Sequence, residues 1–413
     1  MRILFISPYI PTPIRTRPYN LIRALARRGH ALTLLALRAP GDPAMPPDEI
    51  IRACQRWAVV PLSPGRVLWN ALWAIPQDVP LQAAYSRSPQ LIDLIRQTLK
   101  GTLSSGFDVL HIEHLRGALL GLAVQGLPRV YDAVDCISLL FERAWRQAPS
   151  WRHRLMAGLD LARTRRFEGR LIAAMDAVLV SSAEDGAALA RLCPPEAASR
   201  VTVLPNGVDL GYFQPVEGDE AERSGVAFSG KMSYHANIAA ALDLAQTIMP
   251  LVWESDPEVQ LTIAGKDPPR EVRRLGRDPR IQVTGSVPDL RPILVRAAVV
   301  ACPLRYGAGI QNKVLEAMAL GRPVVASAQA AVALSATPGR DLLVGHSPGE
   351  FAQQVIRLLG DPGLRRGIGQ AGRRYVEAHH DWDDIAARLE GVYREAVSGK
   401  VSIGDALVSG VRA

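Results

Sequence analysis

Short apolar runs rich in β-branched residues recur along the chain, each followed by a stretch with helical spacing. This alternation restricts the fold more than any other feature. "RILFIS", "ALTLLAL", "WAVVPL", "FDVLHIEH", "RVYDAV", "DAVLVSS" and "VTVLPN" form a first series. Runs that are apolar on both faces must be covered on both faces, which describes parallel strands joined by crossover helices. "YNLIRALARRGH" is such a covering helix, with Leu21, Ile22, Leu25 and Ala26 on one side and Gly29 as its stop. A second series begins near Gly225: "GVAFSGK", "VQLTIAGK", "IQVTGSV", "AVVACPL", "PVVAS" and "DLLVG". Between the two lies "LPNGVDLGYFQPVEGDEAERSG", whose turn residues and acids read as a linker.

The expected architecture is therefore α/β, with two doubly wound Rossmann-like domains. Residues 1–205 form the first, 206–224 the linker and 225–380 the second. An amphipathic helix over 381–398 (Ile385, Leu389, Val392, Tyr393) is expected to cross back to the first domain, followed by a small-residue tail, 399–413. Ligands of such sheets sit at the carboxyl ends of the strands, and two domains facing each other would form a cleft there.

Composition narrows the function classes. Hydrophobic residues make up 48% of the 413, which fits a globular chain, and no run reaches the ~18 apolar residues of a membrane span. "MRILFISPYI" reads as a buried first strand, not as a signal peptide. Cys54, Cys136, Cys193 and Cys302 are scattered, without metal or disulfide spacing, so a reducing, cytoplasmic setting is expected. The net charge is +8, and residues 1–200 carry the whole excess, with 25 basic against 16 acidic residues. Such a balance points to phosphate-rich or anionic partners. Nucleic acid is not expected, because no reader motif with interleaved aromatics is present.

The most informative stretch is Pro303–Ser327, "PLRYGAGIQNKVLEAMALGRPVVAS". Gly307 and Gly309 let backbone approach a ligand, and the helix that follows offers unpaired N–H groups to an anion. Val314, Ala317 and Met318 share an apolar face with Ile310, while Lys313 and Glu316 lie off it. A lysine in a first turn opposes the helix dipole, and a bound phosphate would resolve the conflict. Glu316, one turn deeper, could accept two hydrogen bonds from a diol such as a ribose. A dinucleotide fingerprint fails here: Asn312 stands at the third glycine and no acid ends the next strand.

These segments resemble the family 4 glycosyltransferases of the GT-B fold, in particular bacterial exopolysaccharide and PEP-CTERM-associated sugar transferases. The resemblance rests on "ALARRGHALTLL", "FDVLHIEH", "VLVSSAEDGAAL", "VTVLPNGVDLGYFQP" and "GIQNKVLEAMALGRPVV", in that order. It implies transfer of a sugar, with retention of configuration, from a nucleotide-diphosphate sugar to a glycan or lipid-linked acceptor. The donor would be a substrate, with no cofactor and no metal. Glu316 would bind the ribose; Gly309, Ile310, Lys313 and Lys231 would meet the diphosphate. Lys231 stands where the family usually has an arginine, which keeps the charge but loses the fork. Ala308 stands where many relatives carry a sugar-contacting glutamate, and a second lysine of the family is missing, with Asn237 nearby.

The first domain is expected to hold the acceptor. Arg15 and Arg17, placed just before a helix, would suit an anionic group. His111, Glu113 and His114 end the fourth strand, and Asp132 and Asp135 the fifth; these are the catalytic candidates. Asp381-Trp382-Asp383 has the form of a metal-binding pair but reads as a helix cap. Trp69 and Trp73 beside Arg66, and the arginine-rich stretch from Ser150 to Met175, make an anionic membrane surface a candidate partner. The rival functions are a nucleotide-sugar 2-epimerase on the same fold and a non-catalytic nucleotide-sugar-binding protein.

Overall fold

In the computed structural model the first series of runs pairs in parallel as a seven-stranded sheet of order β3-β2-β1-β4-β5-β6-β7. The strands are β1 (Arg2–Ser7), β2 (Ala31–Arg38), β3 (Arg56–Pro61), β4 (Val109–Glu113), β5 (Arg129–Val134), β6 (Ala177–Val180) and β7 (Val201–Val203). The second series gives β8 (Ser224–Ser229), β9 (Leu261–Ala264), β10 (Ile281–Gly285), β11 (Ala297–Cys302), β12 (Val324–Ser327) and β13 (Leu343–Gly345). These pair in parallel as β10-β9-β8-β11-β12-β13. In both sheets the order reverses beside the first strand, at β1/β4 and at β8/β11. Those are the switch points where the two flanking crossovers diverge and leave a crevice.

The structure describes residues 1–101, 106–147, 151–216, 223–307 and 309–399, with only the backbone at 151–153 and 156–157. The family-glutamate position, Ala308, and the tail beyond residue 399 lie outside the described residues. So do residues 217–222 of the expected linker and the side chains of the arginine-rich stretch at 151–153. The chain divides into unit 1 (Met1–Glu142, Leu155–Pro205, Trp382–Ala413) and unit 2 (Arg143–Arg154, Asn206–Asp381). The described part of the expected linker is thus built into unit 2. Asn206 and Val208 are buried, and Val208 bridges to Asp381.

Strand alternation decides which side chains share a face of unit 1. Leu110, Ile112, Tyr131 and Ala133 point to one core, while Val109 and Val130 point to the other with Ile3 and Phe5. His111, Glu113 and Asp132 follow the second parity. That second face is covered by the helix Thr16–Arg27, through Leu21, Ile22 and Leu25, and by the helix Trp382–Ser398, through Ile385, Leu389 and Tyr393. The C-terminal helix is locked there at its far side by Glu390. This carboxylate accepts from Arg28 at 2.5 Å and pairs with His30 at 2.9 Å, and the Arg28 hydrogen bond holds it down at about 2.

In unit 2 the helical stretch His235–Trp253 is long and apolar enough to cross a membrane by length and composition, but most of it is buried within the unit. A π-helical turn at Leu244–Ile248 precedes Pro250, which cannot donate a helical N–H.

Candidate functional site

The switch point of unit 1 gathers a buried polar network. Phe5 of β1 and His111 of β4 are partners in register, and their rings stack at 4.2 Å. The other edge of His111 meets the C-terminal helix, where Nδ1 lies 2.8 Å from the Tyr393 hydroxyl. His111 Nε2 lies 3.8 Å from Glu113 and 3.9 Å from Asp132, beyond hydrogen-bond reach, and has no hydrogen-bond partner among the described residues. Glu113 and Asp132 face each other in register on β4 and β5. The Tyr9 hydroxyl donates to Glu113 Oε1 at 3.0 Å, while Oε2 has no hydrogen-bond partner among the described residues. Burial pushes the Glu113 carboxyl up, against the opposing pull of His111 and Arg17.

Arg17 completes this network, and its position corrects the reading of a cation placed just before a helix to meet an anionic acceptor group. It lies inside the helix Thr16–Arg27, 4% exposed, and its Nε donates to Asp132 at 2.7 Å. Its Nη1 donates to the Leu204 and Pro205 carbonyls. Arg15 is also committed, donating through two nitrogens to Asp42 at 2.8 and 3.0 Å and stacking over Tyr9 at 4.5 Å. The expectation that His111, Glu113 and Asp132 face a reactant is corrected likewise: all three are 0% exposed. Parity explains why, since it turns them towards the helices that cover that face.

His111, Glu113 and Asp132 are also the one group among the described residues whose donor atoms, all within 4.8 Å, could hold a metal. A carboxylate pair that the separate motifs did not reveal is therefore present. The Arg17 guanidinium already supplies a cation at the Asp132 oxygen, and a metal there would have to compete with it.

His114 and Asp135 are different. They lie one position past Glu113 and past Val134 at the strand ends, and both are half-buried. His114 and Val134 have φ values of 60° and 66°. Such a conformation costs of order 1–3 kcal/mol in a non-glycine residue and is most strained when β-branched. Strain of this kind clusters where side chains must be aimed. Burial pushes His114 down to about 3, so the ring is neutral near pH 7. Burial, then Asp185, pushes Asp135 up to about 7, although the Ser181 hydroxyl donates to it at 3.1 Å.

The switch point of unit 2 is built from glycines and cations. After β8 and β9 the chain passes so closely that a Cβ on Gly265 would sit 1.8 Å from the Gly230 carbonyl oxygen. After β11, Gly309 takes φ 66°, a left-handed conformation that glycine adopts without strain. It leads through the buried Ile310 into the helix Asn312–Ala319, which has no side-chain cap and no acid in its first turn. Val314, Ala317 and Met318 are fully buried, fixing the rotation of the helix and directing Lys313 away from the core.

Lys313 Nζ donates to Asn237 Oδ1 at 2.5 Å and lies 5.1 Å from the Phe228 ring centroid. The Asn237 amide in turn donates to the Lys231 carbonyl at 2.9 Å. One asparagine therefore ties the lysine helix to the β8 loop, while the Lys231 side chain is exposed. Burial lowers Lys313 and pushes Glu316 up to about 7, each offset by the other's charge. In the same unit His235 and Tyr306 stack, with Nδ1 2.8 Å from the hydroxyl. Sequence reading missed Tyr9, Tyr393, His235 and Tyr306. The position of Tyr9 just past β1 was the available signal; the others depend on long-range packing.

Two family models match the chain: one described as Glycosyltransferase Family 4 over residues 15–212, and one as Glycosyl transferases group 1 over residues 223–361. A D-inositol 3-phosphate glycosyltransferase of Salinispora arenicola is 31% identical over 236 residues, 48% of this chain and 50% of its own length. A GDP-mannose-dependent monoacylated phosphatidylinositol monomannoside mannosyltransferase of Corynebacterium glutamicum is 30% identical over 46% of this chain and 55% of its own length. The chain thus spans about half the length of these relatives. The Anabaena protein HepE, solved with UDP and glucose, superposes with a TM-score of 0.67 at 16% identity, over 96% of this chain and all of that one. That likeness shows the GT-B fold.

Proposed function

The chain belongs to the family 4, group 1 glycosyltransferases, and on that premise we propose that it moves a sugar from a nucleoside-diphosphate sugar to a hydroxyl acceptor. The observation that carries this reading is the pair Lys313 and Glu316 at the start of the Asn312–Ala319 helix, just past the left-handed Gly309. A diphosphate placed at that helix start would face the first-turn N–H groups, Lys313 and the exposed Lys231. Charge grows on the leaving diphosphate as the sugar departs, so a fixed ammonium there stabilises the transition state more than the ground state. Glu316, three residues on, is placed to accept hydrogen bonds from the ribose hydroxyls, and its burial costs less once those bonds form.

The acceptor belongs to unit 1. Asp135, with its carboxyl near neutrality, is suited to take the proton of an acceptor hydroxyl. The buried trio His111, Glu113 and Asp132, with Arg17 and Tyr393, acts as a frame that holds the strand ends. Retention of configuration and an acceptor that is a surface glycan or lipid-linked sugar are part of this proposal. The acylated phosphatidylinositol mannoside in one relative's name fits a lipid-linked acceptor, whereas the inositol 3-phosphate in another's points to a different one.

The test offers UDP- and GDP-linked sugars with a panel of glycan and lipid-linked acceptors. Released nucleotide is assayed, and the anomeric proton of the product is read by NMR. Nucleotide release that depends on acceptor, with an unchanged anomeric configuration, is expected. Donor binding without release across the panel would favour a non-catalytic binding protein, and nucleotide release without transfer an epimerase.

A further inference from the structure

The helix Pro64–Ala74 of unit 1 is oriented inside out. Its buried residues are Asn70 and Ala74, while Leu68, Trp69 and Leu72, with Ile75 at its end, are 64%, 60%, 54% and 59% exposed. Positions 68, 69, 72 and 75 form one stripe at helical spacing, so the large apolar side chains share the solvent face. The rest of the helix surface is anchored by polar contacts. The Asn70 amide donates to the Tyr85 and Arg87 carbonyls at 3.2 and 2.8 Å, and Trp73 lies under the Arg87 guanidinium at 4.4 Å. A helix pinned by an asparagine, with Trp and Leu turned outward, has its apolar face reserved for something else.

The neighbouring helix Trp151–Ala174 extends this face. Arg163 donates to the Ile75 carbonyl at 3.3 Å, and Leu159, one turn earlier, is 70% exposed. The charges around the stripe are mainly basic, the buried Asp160 and the paired Asp78 being the acids beside it. No acid occurs between Glu49 and Asp78. Asp78 is paired with Arg166 and Arg170 at 2.7 and 3.0 Å. Arg66, Arg87 and Arg163 have no ion-pair partner among the described residues.

We propose that this stripe docks unit 1 on an anionic lipid bilayer. Leu68, Trp69, Leu72 and Ile75 enter the boundary of the acyl chains, and the arginines meet lipid phosphates. An anionic surface fits the charge pattern better than a second copy does, because a two-fold self-contact would bring this basic face against itself. Of the pair of tryptophans expected from sequence, Trp69 is exposed on this face, whereas Trp73, four residues on, is half-buried under Arg87. This inference goes beyond the catalytic proposal and does not depend on it.

The test is flotation of the full chain with vesicles of phosphatidylglycerol and phosphatidylcholine in equal parts, against phosphatidylcholine alone, at low and high salt. Wild type is expected to float with the anionic vesicles and to do so less at high salt. Trp69→Ser with Leu72→Ser should weaken partition at least ~tenfold, given the apolar area removed. Because both side chains are exposed, the melting midpoint and the turnover of a soluble acceptor should be unchanged. Arg66→Glu should weaken flotation most at low salt. No flotation at low salt, or flotation undiminished in the double variant, overturns the proposal. So does a concentration-dependent dimer that the double variant disperses without any vesicle binding.

Discussion

The two switch points have the same topology and opposite electrostatics. In unit 1 the strand-end groups are engaged with one another: Arg17 with Asp132, Tyr9 with Glu113, Tyr393 with His111, all buried except the half-buried Tyr9. In unit 2 the corresponding ends carry glycines, an exposed Lys231, and a Lys313 with one of its three N–H groups committed to Asn237. Strand order alone therefore does not make a ligand site. What distinguishes the two is how far the local side chains are already paired with one another. The largely paired, buried network of unit 1 serves as a scaffold, whereas the exposed Lys231 and the Lys313 ammonium keep donors for a ligand.

That contrast can be broken by substitution, and the largest effect is expected in the scaffold. Arg17→Ala leaves the buried Asp132 carboxylate without its guanidinium and should destabilise by about 3–5 kcal/mol, read by urea unfolding. A loss below ~1 kcal/mol would mean that the network does not hold unit 1. Lys313→Ala should do the reverse. Stability should hold or rise, because burial already disfavours this ammonium, while transfer falls on the order of 10²-fold. Wild-type turnover in that variant would remove Lys313 from the site.

Glu316→Gln sharpens the comparison through pH. The Glu316 carboxyl lies at about 7 in the folded protein against an ordinary 4.5. Its favourable, protonated contribution is present below pH 4.5 and is lost as pH rises through 7. The glutamine variant escapes that loss, so its stability relative to wild type should grow by about 1–3 kcal/mol between pH 5 and pH 8. Asp135 and Glu168 are also pushed up to about 7, so the variant-minus-wild-type difference is the quantity to measure. A difference flat with pH would show that Glu316 ionises normally. The smallest effect belongs to Tyr393→Phe, which deletes one hydroxyl contact to His111 and should cost about 1 kcal/mol without altering donor binding.

The sheets were legible in sequence because strands buried on both faces must be apolar along their length. Much of the unit 2 site was legible for a similar reason. Gly309, Lys313 and Glu316 lie within one loop and two helical turns, so local spacing carries the geometry. The unit 1 network was not legible as a network. Residues 9, 17, 111, 113, 132 and 393 meet only after the sheet is built and the last helix has returned. An arginine just before a helix reads as an anion binder until its burial is known, which is how Arg17 is placed with the acceptor. The linker misled in the opposite sense: "PNGVD" has turn composition, yet Asn206 and Val208 are buried in unit 2.

The central claim is that Lys313 and Glu316 form the nucleoside-diphosphate half of a donor site. It is tested most directly by the melting midpoint with UDP and with GDP, measured for wild type and Lys313→Ala. A ligand that binds only the folded state at ~100 times its Kd adds about 2.7 kcal/mol. The account predicts a clear rise for at least one nucleoside diphosphate in wild type and its loss in Lys313→Ala. No rise with either nucleotide, or a rise that survives the substitution, would contradict it.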